Sequence, residues 1–200
     1  MNLQLTVAIC FVVIAITINL VVIIVGNRRQ KKIFQKFADR YNLSFTISNF
    51  FLKQYPLITG DFNGFSLKIE EESKGLTQND KSRYTIAKIQ ADTPLTFAIS
   101  KEDLFKKIGK IFTGEQIQIG NEEIDRKLFF QSSQPTLFKS ILDYEIEAKL
   151  KEASFRGRII CENGEIKCIQ FKTIKSESKM KDLEELLLIC VLFANKLKKI

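Results

Sequence analysis

The stretch VVIIVGNRRQKK, residues 21–32, joins an apolar segment to a basic one and decides how the chain is organised. The first 26 residues contain no Asp, Glu, Lys or Arg, and residues 3–25 are interrupted by only a few uncharged polar side chains. About 20 apolar residues suffice for a helix to cross the hydrocarbon core, where a helix satisfies its own backbone hydrogen bonds. The pattern therefore predicts a transmembrane anchor over residues 1–26.

A cleaved secretory signal is the alternative interpretation of this run. Such a signal has a basic n-region, a shorter apolar stretch and a small-x-small cleavage site. Here the opening residues MNLQLT carry no charged side chain, the apolar run is longer, and it ends in VVIIVG. These features favour an anchor that stays in the mature protein.

The basic residues after the span predict its orientation, because loops rich in Lys and Arg remain in the cytoplasm. Arg28, Arg29, Lys31 and Lys32 follow the span directly, and no basic side chain precedes it. We therefore expect a single-pass protein of the cell membrane whose soluble domain is cytoplasmic.

The formal net charge of +8 is concentrated at two places in the chain. Residues 27–40 carry a net +5 and residues 196–199 carry +3, so residues 41–195 sum to zero. Nucleic-acid binding is disfavoured, because the neutral body has no basic patch with interleaved aromatic residues and no zinc-finger or RNA-recognition signature.

The juxtamembrane segment, residues 27–42, is predicted to be a basic amphipathic helix. At about 100° per residue its apolar side chains fall on one side, namely Ile33, Phe34, Phe37, Ala38 and Tyr41. The basic residues of the segment are the candidate membrane-surface site: Arg28, Arg29, Lys31, Lys32, Lys36 and Arg40. They either bind anionic lipid headgroups or form a solvated face that sets the topology, and both interpretations stay open.

The residue types that are absent restrict the chemistry. The chain has no His and no Trp, which excludes Ser-His-Asp and Cys-His nucleophiles and removes the usual nitrogen ligand of zinc sites. Cys10 lies in the membrane run and Cys190 in an apolar C-terminal segment, so both are expected to be packing residues.

The segment RIICENGEIKCIQF, residues 158–171, is predicted to be a β-hairpin. Asn-Gly at 163–164 is a strong two-residue turn signal, because a type I′ turn needs positive φ at both positions. The resulting register sets Cys161 and Cys168 opposite isoleucines on one face. We expect both to be small apolar core residues, since their diagonal placement and a reducing cytoplasm disfavour a disulfide.

Residues 43–200 are predicted to form one soluble α+β domain of antiparallel sheet with packed helices. Apolar alternation or β-rich composition predicts extended segments at 50–60, 65–71, 83–91, 93–100, 115–120, 126–133 and in the hairpin. Capping and 3.6-residue periodicity predict helices at 100–112, at 135–154 with a break near Asp143, and at 176–199. The doubled order of these elements suggests two related halves.

The last predicted helix is apolar nearly all round between Leu186 and Ala194. Nine residues are too few to span a bilayer. It is interpreted as a central buried helix, with a dimer seam as the alternative.

One segment resembles a motif of uncharacterised bacterial proteins in which a membrane helix precedes an α+β domain of unknown function. In IGNEEIDRKLFFQSSQP, the pattern is a Gly, an apolar residue before Asp, an apolar strand, a Ser and a helix-starting Pro. These residues are Gly120, Ile124, Asp125, Leu128, Phe130, Ser132 and Pro135. GDFNGFSLKI, residues 60–69, is similar to the turn and strand of that group. The resemblance implies a fold type and a membrane anchor, and it implies no activity.

Four local patterns are candidates for reactive or binding sites. Glu70, Glu71 and Glu72 with Asp61 are the densest carboxylates, but adjacent strand residues point to opposite faces, so a solvated strand end is favoured over a cation site. Ser176 with Lys179 has Ser-Lys nucleophile spacing, yet a Ser before a helix is first of all a cap. The pattern GDFNG lacks the Lys-Ser/Thr of a phosphate loop. Asp125-Arg126 is interpreted as an ion pair or a turn, and no catalytic, cofactor or metal residue is assigned.

The leading hypothesis is therefore a non-enzymatic, membrane-anchored cytoplasmic domain that binds a partner protein or acts as a scaffold at the membrane face. The first alternative is a membrane-bound hydrolase or transferase that uses carboxylates alone. The second is a structural homo-oligomer assembled through the C-terminal helix.

Overall fold

A computed structural model describes residues 3–50, 53–75, 81–101 and 115–199. Its first element, α1, is a single helix from Leu3 to Arg40 that contains both the apolar run and the basic segment. Gly26 lies at the junction between them without ending the helix. The apolar run and the basic segment are therefore one continuous helix.

The described strands form one antiparallel sheet of nine strands, which confirms the predicted α+β class. Their bounds are β1 Ser44–Phe50, β2 Lys53–Phe62, β3 Phe65–Gly75, β4 Lys81–Gln90, β5 Phe97–Ser100, β6 Glu115–Ile117, β7 Phe129–Ser132, β8 Gly157–Glu162 and β9 Glu165–Phe171. Their order across the sheet is β1-β2-β3-β4-β9-β8-β5-β7-β6. The strand predicted over 126–133 is shorter than expected, because Arg126 and Lys127 belong to a helix.

The two sides of the sheet are built differently. Strands β1 to β4 form a simple meander, and β4 pairs with β9 to join it to the second side. There β5 lies between β8 and β7, so sequence order is not spatial order. The relation between two halves suggested by the element order stays a prediction.

The predicted hairpin is confirmed in its turn and in its register. Asn163 and Gly164 have φ of 54° and 74°, as a type I′ turn requires. Cys161 pairs with Ile166, and Cys168 pairs with Ile159.

Four further helices are described: α2 Glu122–Lys127, α3 Pro135–Ile141, α4 Tyr144–Glu152 and α5 Glu177–Leu197. The break predicted near Asp143 is confirmed, because this side chain caps α4 by accepting a hydrogen bond from the Ile146 N–H at 3.0 Å. The helix predicted over 100–112 lies outside the described residues, apart from its first two positions.

The core lies between one face of the sheet and the helices, with α5 at its centre. Leu183, Leu187, Cys190 and Phe193 of α5 are fully buried, so the predicted central buried helix is confirmed. The last turns of α1 enter the same core through Ile33, Phe34, Phe37 and Ala38, all buried. The segment predicted as 27–42 thus shares one hydrophobic core with the domain predicted as 43–200.

Candidate functional site

The apolar part of α1 stands apart from the rest of the fold. Its large side chains from Ile9 to Val25 are exposed, among them Phe11 at 69%. α1 is the one helix of the described chain that is long and apolar enough to cross a membrane, and an 18-residue window of it has a mean hydropathy of 3.0. A surface this apolar in a soluble environment would be an aggregation liability, and it suits a lipid environment.

The six predicted membrane-surface residues divide into two groups. Arg28, Arg29, Lys31 and Lys32 are exposed on α1 immediately after the apolar run; they are called the collar below. Lys36 and Arg40 are instead paired with α5 within the protein.

The two α1–α5 pairs differ in their surroundings. Lys36 Nζ lies 2.9 Å from Glu177 Oε1, and both side chains are largely exposed. Arg40 lies 2.9 Å from Glu184 Oε2, and the Tyr41 hydroxyl donates to the same carboxylate. The charge of Glu184 raises the pKa of Arg40, and the hydrogen bond from Lys36 lowers the pKa of Glu177. Solvent screens the Lys36–Glu177 pair and the exposed side of Arg40, so the two pairs orient α1 against α5 more than they stabilise the fold.

A groove of about 320 Å³ runs between α1 and α5 beside these pairs. Its apolar lining comes from Ile33, Phe37 and Met180, and its charged lining comes from Lys36, Arg40, Lys181, Glu177 and Glu184. The two carboxylates are paired with Lys36 and Arg40, so the exposed Lys181 leaves this mixed surface with an excess of positive charge.

A buried polar contact ties α1 to the sheet. The Gln30 amide donates to Glu71 Oε1 at 2.5 Å, and both residues are buried. Arg83 lies 3.8 Å from the other carboxylate oxygen and 4.6 Å from the centre of the Tyr55 ring. Burial raises the pKa of Glu71, against the opposing effect of Arg83, Gln30 and Lys175.

Sequence reasoning missed this contact, although the signal was present. Phe65, Leu67 and Ile69 alternate along β3, so the next residue with the same parity is Glu71, on the core face. Gln30 lies three and four residues before Ile33 and Phe34, on the buried side of α1. The sequence pattern predicts a solvated strand end for the acidic cluster. Its middle carboxylate, Glu71, instead continues the apolar row of β3 on the core face.

Further polar side chains continue the row across the sheet. Thr85 of β4 is paired with Glu71, and Gln170 of β9 is paired with Thr85. Both are buried, and Thr85 Oγ1 and Gln170 Oε1 have no hydrogen-bond partner among the described residues. The polar row lies under the helices and is closed to solvent at Glu71, whose side chain has 0% exposure.

The carboxylates considered for a cation do not converge. Glu70 and Glu72 lie on the opposite face from Glu71 and are bridged by Lys88, at 2.7 and 3.0 Å. Asp61 accepts a hydrogen bond from the Gly64 N–H within its own hairpin. No group of three potential metal ligands is found among the described residues.

The remaining patterns have structural roles. Ser176 caps α5 by accepting a hydrogen bond from the Lys179 N–H at 3.3 Å. Asp125 accepts from the N–H groups of Ile119 and Gly120, so it stabilises a turn, while Arg126 pairs with Glu122 at 3.7 Å.

The cysteines of the domain are free and buried. Burial raises the pKa of Cys161 to about 12, and it raises the pKa values of Cys168 and Cys190 as well. Since the thiolate is the nucleophile and the metal ligand, these residues are inert core groups, as the hairpin register predicted for Cys161 and Cys168.

Comparison with known proteins yields a fold and no family. No protein-family model matches the chain, and no curated protein matches it. The chain is similar in structure to the mycobacterial trehalose monomycolate transport factor A, TtfA, with a TM-score of 0.55 and 12% sequence identity. The match covers 86% of this chain and 94% of that chain. Identity this low shows the fold alone, and that fold agrees with the predicted α+β class.

Proposed function

We propose that this chain is a non-enzymatic, membrane-anchored module whose folded domain binds a partner protein at the membrane face. The observation that carries the proposal is the continuity of α1 from the apolar run into the core of the domain. A protein that only needed to be near a membrane would be served by a flexible linker. A helix built into the core fixes which face of the domain meets the bilayer.

The attachment between the rod and the domain is extensive. Phe37 packs against Phe62 with ring centroids 6.4 Å apart, and the Gln30–Glu71 hydrogen bond lies further toward the membrane. The two ion pairs to α5 brace the other side of α1. Rotation of the domain about α1 would break all of these contacts, so the domain follows the tilt and rotation of its anchor.

The enzymatic alternative receives no support from the site. A carboxylate with a raised pKa in an open pocket would favour it, and Glu71 does have a raised pKa. Its side chain is fully enclosed between α1 and the sheet, however, and pairs with Gln30 and Arg83. A substrate has no access to this carboxylate.

Helix α5 offers little apolar surface for assembly with a second copy of the chain. Its apolar side chains pack into the core of its own domain, and its exposed large apolar residue is Leu188, which is 38% exposed. TtfA, the structural neighbour, is named as a transport factor. An accessory role of the present chain in a membrane process agrees with that name, while the substrate in the name is not carried over.

The test compares the full-length protein in its native membrane with two variants at Gly26. In the first, a six-residue Gly/Ser segment is inserted after Gly26, which decouples the domain from the span without removing either. The matched control is Gly26→Ala, which favours the helix by about 1 kcal/mol and adds a Cβ with no atom within 4 Å. Each protein is cross-linked in intact membranes, and the cross-linked proteins are identified by mass spectrometry.

We expect wild type and Gly26→Ala to share a recurrent set of protein cross-links that the flexible insertion loses, while the domain remains folded. If the insertion keeps the same cross-links, proximity alone is sufficient and the fixed-orientation module is refuted. An intrinsic turnover that a single substitution abolishes would instead establish an enzyme.

The orientation is part of the proposal. The collar favours a cytoplasmic domain by the positive-inside rule. Protease added to intact cells should leave residues 43–200 uncut and should digest them after the membrane is permeabilised. Digestion in intact cells would place the domain on the other side.

A further inference from the structure

The contacts of α1 show which end of the sheet faces the membrane. Phe37 and Tyr41 pack against Phe62 at the β2–β3 turn. Gln30, nearer the membrane span, contacts Glu71, which lies six residues past Phe65, the first residue of β3. Moving along α1 toward the bilayer therefore means moving along β3 toward Gly75, where the strand ends. The β3–β4 end of the sheet is its membrane-proximal end.

The distances place this end at the level of the lipid headgroups. Val25, the last residue of the apolar run, precedes Gln30 by five residues, about 7.5 Å along a helix axis. β3 continues four residues past Glu71, which covers up to about 13 Å along a strand. The headgroup region is about 5–8 Å thick on each side of the hydrocarbon core. Glu71 thus lies about 7.5 Å from the height at which the apolar run ends, and β3 continues from Glu71 toward the bilayer.

Exposed lysines lie at the same end. Lys172 directly follows β9, and its backbone forms an isolated β-bridge with Tyr84 of β4. Lys175 is near enough to Glu71 for its charge to oppose the rise in the pKa of Glu71. Both lysines are exposed. The collar lies beside them on α1.

Among the residues that the structure describes, the acidic groups at this end are paired, and Glu72 meets Lys88 on the opposite face of the sheet. Glu71 is buried against Gln30 and Arg83, and Glu177 is bonded to Lys36. The described part of the surface turned to the bilayer is therefore positively charged, although residues 41–195 as a whole are neutral. The height of the sheet end and its charge identify one occupant, the headgroup layer of the membrane that holds α1.

We propose that the membrane-proximal end of the sheet is a second lipid-binding surface, which binds anionic headgroups through Lys172 and Lys175 alongside the collar. The bound chemistry is the phosphodiester of an acidic phospholipid. The inference goes beyond the proposed function, because it requires no protein partner and holds for either orientation.

The first measurement uses the full-length protein in nanodiscs of phosphatidylcholine, with or without phosphatidylglycerol. An amine-reactive reagent labels exposed lysines, and mass spectrometry gives the rate at each position. Lys199 is the internal control, because its neighbour Lys198 lies over Phe65, at the distal end of β3. We expect phosphatidylglycerol to slow labelling of Lys172 and Lys175 severalfold, with partial recovery at high salt, and to leave Lys199 unchanged. Equal rates with and without phosphatidylglycerol would overturn the proposal.

The second measurement titrates short-chain phosphatidylglycerol into the detergent-solubilised full-length protein, followed by native mass spectrometry. Lys172→Gln and Lys175→Gln should each weaken the apparent affinity about fivefold, the effect of one basic residue near a membrane surface. Lys199→Gln is the matched control and should behave as wild type. Unchanged affinity in both lysine variants would refute the lipid site. Shielding of Lys172 and Lys175 that appears only when another membrane protein is added would assign the surface to a protein instead.

Discussion

Replacing Phe37 by Ala tests whether α1 is part of the domain as well as its anchor. The Phe37 ring is 2% exposed and lies 5.0 Å from the Tyr41 ring and 6.4 Å from the Phe62 ring. Truncating a buried Phe typically costs about 3–5 kcal/mol, from lost transfer energy and the cavity left behind. At about 2–4 °C per kcal/mol for a domain of this size, the midpoint of unfolding should fall by about 6–20 °C.

The matched control is the same substitution on the same helix, Phe11→Ala, at a side chain that is 69% exposed on the apolar run. The assay follows unfolding of the full-length protein in detergent by thiol labelling, in a Cys10→Ser background. Cys161, Cys168 and Cys190 are buried and become reactive only when the domain opens. Phe11→Ala should leave the midpoint unchanged. Equal shifts for both variants, or a loss below about 1 kcal/mol for Phe37→Ala, would show that the domain does not depend on α1.

Three further substitutions test individual contacts. A raised pKa means that folded Glu71 keeps its proton above the ordinary value of 4.5, so its stabilising contribution is complete below that pH and is lost as pH rises toward neutrality. Glu71→Gln should therefore reduce the loss of stability between pH 4.5 and 7, measured by denaturant unfolding against wild type, and an unchanged pH profile would contradict the burial of a charged group. Ser176→Ala should destabilise the protein by about 1 kcal/mol through loss of the α5 cap, while Lys179→Ala should have little effect. If both variants lost the same amount of stability, and more than this, the result would support a functional Ser-Lys pair. Gly157→Ala would place a Cβ 2.5 Å from the Ile169 carbonyl oxygen, so we expect a loss of about 1–3 kcal/mol, and a neutral result in thermal unfolding would show that β9 can shift.

The features that could be predicted from the sequence depend on neighbouring residues. The turn at Asn163-Gly164, the helix break near Asp143 and the buried side of α1 each follow from residues within a few positions of one another. Backbone sterics and helical periodicity act over that range. Local signals of this kind survive folding because the tertiary structure agrees with them.

The features that could not be predicted depend on contacts between distant segments. Lys36 and Arg40 were grouped with the collar because they share its helix face, but their partners Glu177 and Glu184 lie more than 140 residues away. The position of β5 between β8 and β7 likewise depends on pairing between strands that are distant in the sequence. Arg158, buried in β8 with its pKa lowered to about 10 by burial, stands in a stretch that reads as an ordinary strand.

The central claim, that one unbroken helix carries the membrane span into the domain, is tested most directly by a distance measurement across Gly26. Spin labels at Leu20→Cys and Asp39→Cys, in a Cys10→Ser background, are measured by double electron–electron resonance in nanodiscs. Nineteen residues of continuous helix separate these positions by about 29 Å, so we predict a single narrow distribution near that value. A broad distribution, or one centred well below it, would show that the helix breaks at the membrane surface and that the domain is not held in a fixed orientation.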